Sequence, residues 1–463
     1  MECIVAVGKN LGISTVYDIP WKIKEDMRFF REKTEDNIVI MGWNTFLSLQ
    51  MKPLPNRMNI VLTTKHFAPN NDNPNLVICN IDYCMKLLSS NSIRYSKKIF
   101  VIGGEQVYKL FLPYITKIHL TEVHHEENYE FTKFFPKIPE NFKITEFSDI
   151  HTCKEYPKIK YRFITYTKDT NTKNKFDDEY LKMCRSVLEN GEEREDRTGT
   201  GTYSMFGGQM RFDISKYIPV LTTKRIPWKS CIEELLWFLR GDTDSNILSE
   251  KGVNIWKANS SRNFLDNVGL DHLDEGDCGA NYSFQWRHFG ASYSNKDGDY
   301  TDKGIDQIKY IEDLLKTDRT SRRIFLSAWN PCDLKNTVLP PCHVSAQFYV
   351  NSKDELSCHL YQRSCDMFLG VPWNILSYSI LTYLLAIRNG YKPGCLIHST
   401  GDTHIYKDHL EQMKLQMEKT PLSAPILKIS DSVKHKDWKE ISINDFELIG
   451  YFPHSKIHAK MSA

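Results

Sequence analysis

Apolar and polar positions along the first third of the chain alternate between short β-type runs and helical ones. Cys3–Val7, Ile38–Met41, Asn59–Leu62 and Ile99–Ile102 read as buried strands, and Ile23–Arg31 reads as a helix. Such alternation predicts an α/β unit: a central, mostly parallel sheet flanked by helices. Tyr161–Tyr166 closes this part as an alternating strand. The polar run from Lys168 to Lys175 has no apolar anchor and reads as a linker, so the expected division is 1–168, a short linker at 169–176, and 177–463. Helical periodicity resumes at Tyr180, with Leu181, Cys184, Val187 and Leu188 on one face. The remainder reads as a larger α+β unit, with buried helices at Cys231–Leu239 and Ile375–Ile387 and strands at Ser345–Val350 and Leu356–Leu360 around a turn at Asn351–Asp354. Met367–Ile387 holds no charged residue and is long enough to raise the question of a membrane span. Its opening residues Gly370, Pro372, Trp373 and Asn374, and its later Ser377, Tyr378, Ser379 and Thr382, predict instead a polar loop entering a core helix.

Composition narrows the function classes. The 463 residues carry 60 Lys and Arg against 58 Asp and Glu, a net charge of +2, so neither a polyanion-binding surface nor a nucleic-acid partner is expected. Twelve scattered cysteines show no CxxC spacing, which gives no support to a metal site. Met1 runs almost at once into a strand, so a reducing, cytoplasmic setting is expected.

Two constellations carry chemistry. In the first, Asp26 falls on the stripe of Ile23, Met27 and Phe30, where burial would raise its pKa toward that of a working acid. Phe100–Tyr108 runs from a strand through Gly103-Gly104 into a helix, a geometry that lets a pyrophosphate approach, although a tight turn needs the same residues. Arg57, after the turn Pro53-Leu54-Pro55-Asn56, suits a substrate carboxylate. In the second, Pro340-Pro341-Cys342-His343 presents a cysteine that nearby arginines would turn into a thiolate nucleophile. Arg197, Arg322, Arg323 and Arg363 suit a phosphate dianion.

Cys3–Val7, Asp18-Ile19-Pro20-Trp21, Glu25–Phe30, Ile40-Met41-Gly42, Arg57-Met58-Asn59, Val101–Gly104 and Lys160–Phe163 resemble, in order, the motifs of dihydrofolate reductases. The resemblance implies reduction of dihydrofolate by NADPH. Asp26 would hold the pterin and promote protonation at its N5. Ile4, Val5, Met27, Phe30, Leu54, Arg57, Ile102 and Tyr108 would bind the rest of the folate, with Arg57 on its glutamate carboxylate. Ala6, Ile13, Asn44, Thr45, Thr63, Gly103 and Gly104 would line the NADPH site. Trp43 and Thr64 stand at positions that are usually basic in that family, and the loop Ser14-Thr15-Val16-Tyr17 lacks the family's glycines. Lys133 occupies the place expected for a threonine partner of Asp26, with Thr132 beside it as a substitute.

The rest of the chain resembles thymidylate synthases through Glu234–Leu239, Asn254-Ile255-Trp256, Phe284–Gly290, Ser327–Asn330, Leu339–His343, Tyr361–Asp366 and Gly401–Tyr406. The resemblance implies that Cys342 attacks C6 of dUMP, that 5,10-methylenetetrahydrofolate donates the one-carbon unit and the hydride, and that dTMP and dihydrofolate leave. Glu234, Tyr282 and His343 would organise water and proton transfer. Arg197, Gln362, Arg363, Ser364, Asp366, Asn374, His404 and Tyr406 would hold dUMP, joined by Arg322 and Arg323 from a second subunit, which implies a homodimer. Ile255, Trp256, Asp366 and Gly370 would contact folate. Ala280 and Ser283 replace the common Pro and Gly around Tyr282, Trp373 replaces a common Phe before Asn374, and the last seven residues differ from the usual tail. The two families in this order resemble the fused, bifunctional enzymes of protozoa and plants, and the short linker looks closest to the parasitic protozoan, apicomplexan-like type. An active synthase joined to a degenerate, structural reductase is the alternative.

Overall fold

The computed structural model describes residues 1–16, 18–64, 73–89, 97–126, 129–169, 174–196 and 199–461. The chain falls into two compact units, Met1–Thr172 and Lys173–Ala463.

In the first unit the order is β1 (Glu2–Val7), β2 (Gly12–Ser14), α1 (Lys24–Thr34), β3 (Ile38–Gly42), α2 (Trp43–Ser48), β4 (Met58–Leu62), β5 (Leu76–Cys79), α3 (Ile81–Ser89), β6 (Ile99–Gly103), α4 (Glu105–Phe111), β7 (Lys117–His125), β8 (Lys133–Phe134), β9 (Phe142–Phe147), β10 (His151–Thr152) and β11 (Ile159–Lys168). One sheet runs β10-β11-β7-β1-β6-β3-β4-β5, with β9 also against β11. From β7 to β5 every ladder is parallel, and β11 pairs antiparallel with β7, β9 and β10. The near-continuous apolar runs of β1, β3 and β6 follow from this, because central parallel strands are buried on both faces. Parallel pairing also brings the C-terminal ends of β1, β3, β4 and β6 to one edge, the place where open α/β sheets bind ligands.

Helix α1 differs from the expected Ile23–Arg31. Ile23 is its N-cap and is buried, the helix continues to Thr34, and Met27 is 63% exposed rather than on the core face.

The second unit contains α5 (Lys175–Asn190), β12 (Glu192–Arg194), β13 (Thr202–Asp213), α6 (Trp228–Arg240), α7 (Ser245–Glu250), α8 (Arg262–Asn267), α9 (Tyr282–His288), α10 (Gln307–Thr317), β14 (Phe325–Ser327), β15 (His343–Val350), β16 (Glu355–Asp366), α11 (Gly370–Arg388), β17 (Lys392–Tyr406), α12 (Leu410–Met417), β18 (Ile426–Ile429) and β19 (Phe446–Ile449). Its main sheet is ordered β12-β13-β17-β16-β15-β14. Only β16 and β17 pair in parallel, as the crossover through α11 requires. Helix α5 begins five residues before Tyr180 because Asn174 caps it, its side-chain oxygen accepting from the amides of Phe176 and Asp177. Gly370, Pro372, Trp373 and Asn374 belong to the first turns of α11 rather than to a loop, since Pro is tolerated where the helix N–H groups have no partner. The apolar window of α11 is 78% buried inside the unit, so its composition reflects a core helix.

Candidate active sites

The carboxyl of Asp26, in the first turn of α1, accepts a hydrogen bond from the Thr121 hydroxyl on β7 at 2.6 Å. Burial pushes its pKa up, and the hydroxyl opposes that by stabilising the anion. Neither Thr132 nor Lys133 takes the partner role. The Thr132 amide donates to the Ser14 carbonyl at 2.9 Å, and Lys133 lies in β8, paired with Ser14 of β2. Arg57 is buried. Its Nε donates to Thr34 Oγ1 and its Nη1 to the Pro55 carbonyl, both at 2.9 Å, and the guanidinium lies 5.8 Å from the centre of the Phe30 ring. The turn before it is tied by Asn59, whose amide donates to the carbonyls of Leu54 and Arg57 while its oxygen accepts from the Leu54 amide. Leu54 packs against the core of Ile4, Val39 and Phe100, as do Phe30, Ile102 and Trp43.

At the sheet edge Gly103 has φ +120°, and a Cβ there would sit 3.2 Å from the Tyr108 ring. Tyr108 donates to the Ile4 carbonyl at 2.8 Å. A Cβ on Gly104 would lie 3.5 Å from Thr45 Oγ1, and one on Gly42 would lie 3.0 Å from Val107. This side-chain-free cradle, with Asn44 and Thr45 in the first turn of α2, Ala6 on β1, Ile13 on β2 and Thr63 just after β4, fits a dinucleotide laid across the strand ends. A separate open cleft of about 690 Å³, lined by Glu2, Lys33, Lys98, Phe100, His119 and Glu146 among others, contains none of the expected site residues.

In the second unit Cys342 is half-buried just before β15. Its amide donates to the Tyr282 hydroxyl at 2.6 Å, and its carbonyl accepts from the Arg363 amide at 2.8 Å. Arg363 also donates from its guanidinium to the carbonyls of Pro341 (2.8 Å) and Pro340 (2.9 Å), and stacks 5.3 Å above Trp329. The same arginine therefore holds the loop that presents the thiol. The His343 ring stacks on Tyr282 at 3.9 Å and 14°, and its Nδ1 is 2.8 Å from the Tyr378 hydroxyl. Burial draws its pKa down to about 3, so the ring is neutral. Glu234 on α6 receives one indole N–H on each oxygen, Trp256 at 2.8 Å and Trp373 at 2.6 Å, and burial pushes its pKa up to about 7.

The sheet register delivers the remaining residues. His343 pairs with Gln362, Ser364 with Asp402, and Asp366 with His404. Gln362 donates to the Ser364 carbonyl, and its oxygen faces His398 Nε2 at 2.9 Å. Asp366 accepts from the amides of Phe368 and Leu369. His404 lies 3.0 Å from Asp402, with its ring 5.1 Å from that of Tyr406. Asn374 Oδ1 would be 3.8 Å from a Cβ on Gly370, and Ile255 packs on the edge of the core. Arg322 and Arg323 are exposed beside the edge strand β14. The Arg322 carbonyl accepts from Gln347, five residues along β15 from Cys342, or roughly 15 Å at strand spacing. Arg197 lies outside the described residues, as do 170–173 of the expected linker. The motifs did not expose Thr121, Asn59, Tyr378 or the Trp373 indole as site residues. Nothing in the mixed segment Ile118-His119-Leu120-Thr121-Glu122-Val123 marked Thr121 out in advance.

Fold and sites define a chain of two units, one with a side-chain-free cradle at the edge of a parallel sheet and one built around a half-buried cysteine. The family model for dihydrofolate reductase matches residues 1–168, and that for thymidylate synthase matches 178–463. A protein of Zea mays named bifunctional dihydrofolate reductase-thymidylate synthase is 41% identical over 508 residues, covering 100% of this chain and 96% of that protein. Proteins of the same name from Paramecium tetraurelia (41%, covering 99% of this chain and 98% of that protein) and Leishmania amazonensis (38%, covering 99% and 94%) agree. The chain belongs to the bifunctional dihydrofolate reductase-thymidylate synthase family.

Proposed function

We propose that the second unit converts dUMP and 5,10-methylenetetrahydrofolate to dTMP and dihydrofolate, and that the first reduces the dihydrofolate to tetrahydrofolate with NADPH. The observation that carries the synthase reading is the set of ties converging on Cys342 from Tyr282 and Arg363. The Cys342 thiolate attacks C6 of dUMP, making C5 the nucleophile that takes the one-carbon unit. Arg363 and Ser364 bind phosphate, Asn374 and Gln362 face the base, and His404 and Tyr406 hold the sugar. Tyr282, neutral His343 and Glu234 hold and move protons through ordered water, while Ile255, Trp256, Asp366 and Gly370 seat the folate. In the first unit Asp26 holds the pterin and favours its protonation at N5, and Arg57 with Leu54, Phe30 and Met27 grips the remainder. Ala6, Asn44, Thr45, Thr63, Gly103 and Gly104 would hold NADPH, which supplies the hydride when bound. The intact Asp26–Thr121 pair speaks against a degenerate reductase.

The working form is a homodimer through the synthase unit. Gln347, Tyr349, His359 and Tyr361 are exposed on one face of its main sheet in the single chain, and Arg322, also exposed, is tied to Gln347, five residues along β15 from its own Cys342. Most of the twelve thiols are buried in apolar cores, which fits a reducing cytoplasm.

One assay tests the main reading. Protein mixed with dUMP, methylenetetrahydrofolate and NADPH should oxidise NADPH only when dUMP is present, and Cys342→Ser or Asp26→Asn should each stop it. Dihydrofolate accumulating with NADPH untouched would overturn the reductase assignment.

A further inference from the structure

Glu234 is buried on α6 without a counter-charge among the described residues acting on it. The groups facing it are Cys231 on its own helix, Trp256, and Trp373 and Tyr378 on α11. An isolated carboxylate in such a place would be neutral. What opposes this is a pair of indoles, one per oxygen. An indole N–H only donates, so each bond favours the ionised carboxylate and neither indole can accept the proton that Glu234 exchanges. Trp373 is itself anchored at both ends. Its carbonyl accepts from the Cys231 thiol at 3.4 Å, one turn of α6 before Glu234, and it immediately precedes Asn374 in the first turns of α11.

We propose that Trp373 is a positioning residue for the synthase reaction: with Trp256 it clamps the rotation of the Glu234 carboxylate and sets how readily that group takes up and returns a proton. This rests on the reading of Glu234 as the proton-exchanging group of the site. The clamp leaves free only those oxygen lone pairs that do not face the indoles, so protons enter and leave there. It also joins α6 to the first turns of α11, so the acid and Asn374 are held in fixed relation.

The test uses the full-length protein and an infrared titration of the Glu234 carboxyl, assigned as the band lost in Glu234→Gln. In Trp373→Phe the titration midpoint should move to more alkaline pH, so that the ionised fraction at pH 7 falls roughly fivefold or more. The limb of the synthase pH profile that follows this band should move with it, while the reductase rate of the same chain stays unchanged. Should Trp373→Phe fail to fold, benzothienylalanine at position 373 keeps the indole shape without the donor and should give the same displacement. A midpoint unmoved by loss of the donor overturns the proposal and leaves the role of Glu234 standing. Wild-type turnover and pH profile in Glu234→Gln would instead remove that role, and the proposal with it.

Discussion

At Asp26 two opposed effects meet on one carboxyl: burial favours the neutral acid, and the 2.6 Å bond from Thr121 favours the anion. Thr121→Val removes the hydroxyl that holds the pKa down, so the protonated form should persist to higher pH. The alkaline limb of the reductase pH profile should move upward, as read from hydride-transfer rates. The same burial has a cost for stability. A carboxyl whose folded pKa is raised destabilises the fold as pH climbs through that range, because the folded state must then carry a buried charge. Asp26→Asn should therefore raise the melting temperature of the reductase unit at pH 8, and the difference should close as the pH falls below about 3.9, where the folded and unfolded carboxyls are both protonated. Helical spacing set Asp26 on a stripe with Ile23, Met27 and Phe30, of which Ile23 is only the cap and Met27 is exposed, so the motif rather than the spacing singled it out. Its partner was not legible, being 95 residues away along the chain, where no local pattern points to it. The Trp373 indole was hidden for a related reason: the substitution is visible in the sequence, but the acid it reaches lies on another helix, 139 residues off.

Elements impose their own constraints, most plainly where β16 and β17 run side by side. A Cβ on Gly401 would stand 2.7 Å from the Arg363 carbonyl oxygen and 3.1 Å from its Cα, both backbone atoms that cannot swing away. Gly401→Ala should force the strands apart beside Arg363 and Ser364, the residues proposed to bind phosphate, at a cost of about 1–3 kcal/mol. The kcat/KM for dUMP should then fall about tenfold or more, with the reductase rate of the same protein as an internal control. Strand and helix interiors were legible because burial writes its period into the sequence. The ends were less so, because they depend on caps and turns: α5 starts at Lys175 because of Asn174, and α1 extends to Thr34 past the expected Arg31.

For the whole molecule the critical question is whether Arg322 and Arg323 serve the site of their own chain or that of a second subunit. If each site takes Cys342 from one subunit and Arg322 from the other, then Cys342→Ser and Arg322→Ala chains, each inactive as a synthase, should regain activity when mixed. Half of the dimers would be hybrids with one complete site of two, restoring about one quarter of wild-type turnover. No recovery after demonstrated subunit exchange would place both groups within one chain. The motifs announced two enzymes, but not how their residues would meet, since a register such as Asp366 beside His404 exists only once the sheet is assembled.

That register also has a consequence for synthesis on the ribosome. β13 pairs along its length with β17, Thr202 meeting Tyr406, so roughly two hundred residues must be translated before the strand meets its neighbour. At about 5–20 residues per second this leaves the strand waiting on the order of 10–40 s. Throughout that interval the apolar side chains of Met210 and Phe212, destined for the core, have no finished sheet to enter. The wait in the first unit is shorter, because β1 meets β6 and β7 roughly a hundred residues on and the last strand has emerged by residue 168. A stalled or truncated nascent chain should thus carry a finished reductase sheet followed by an adhesive, half-built synthase, and the need for chaperones should fall on the latter.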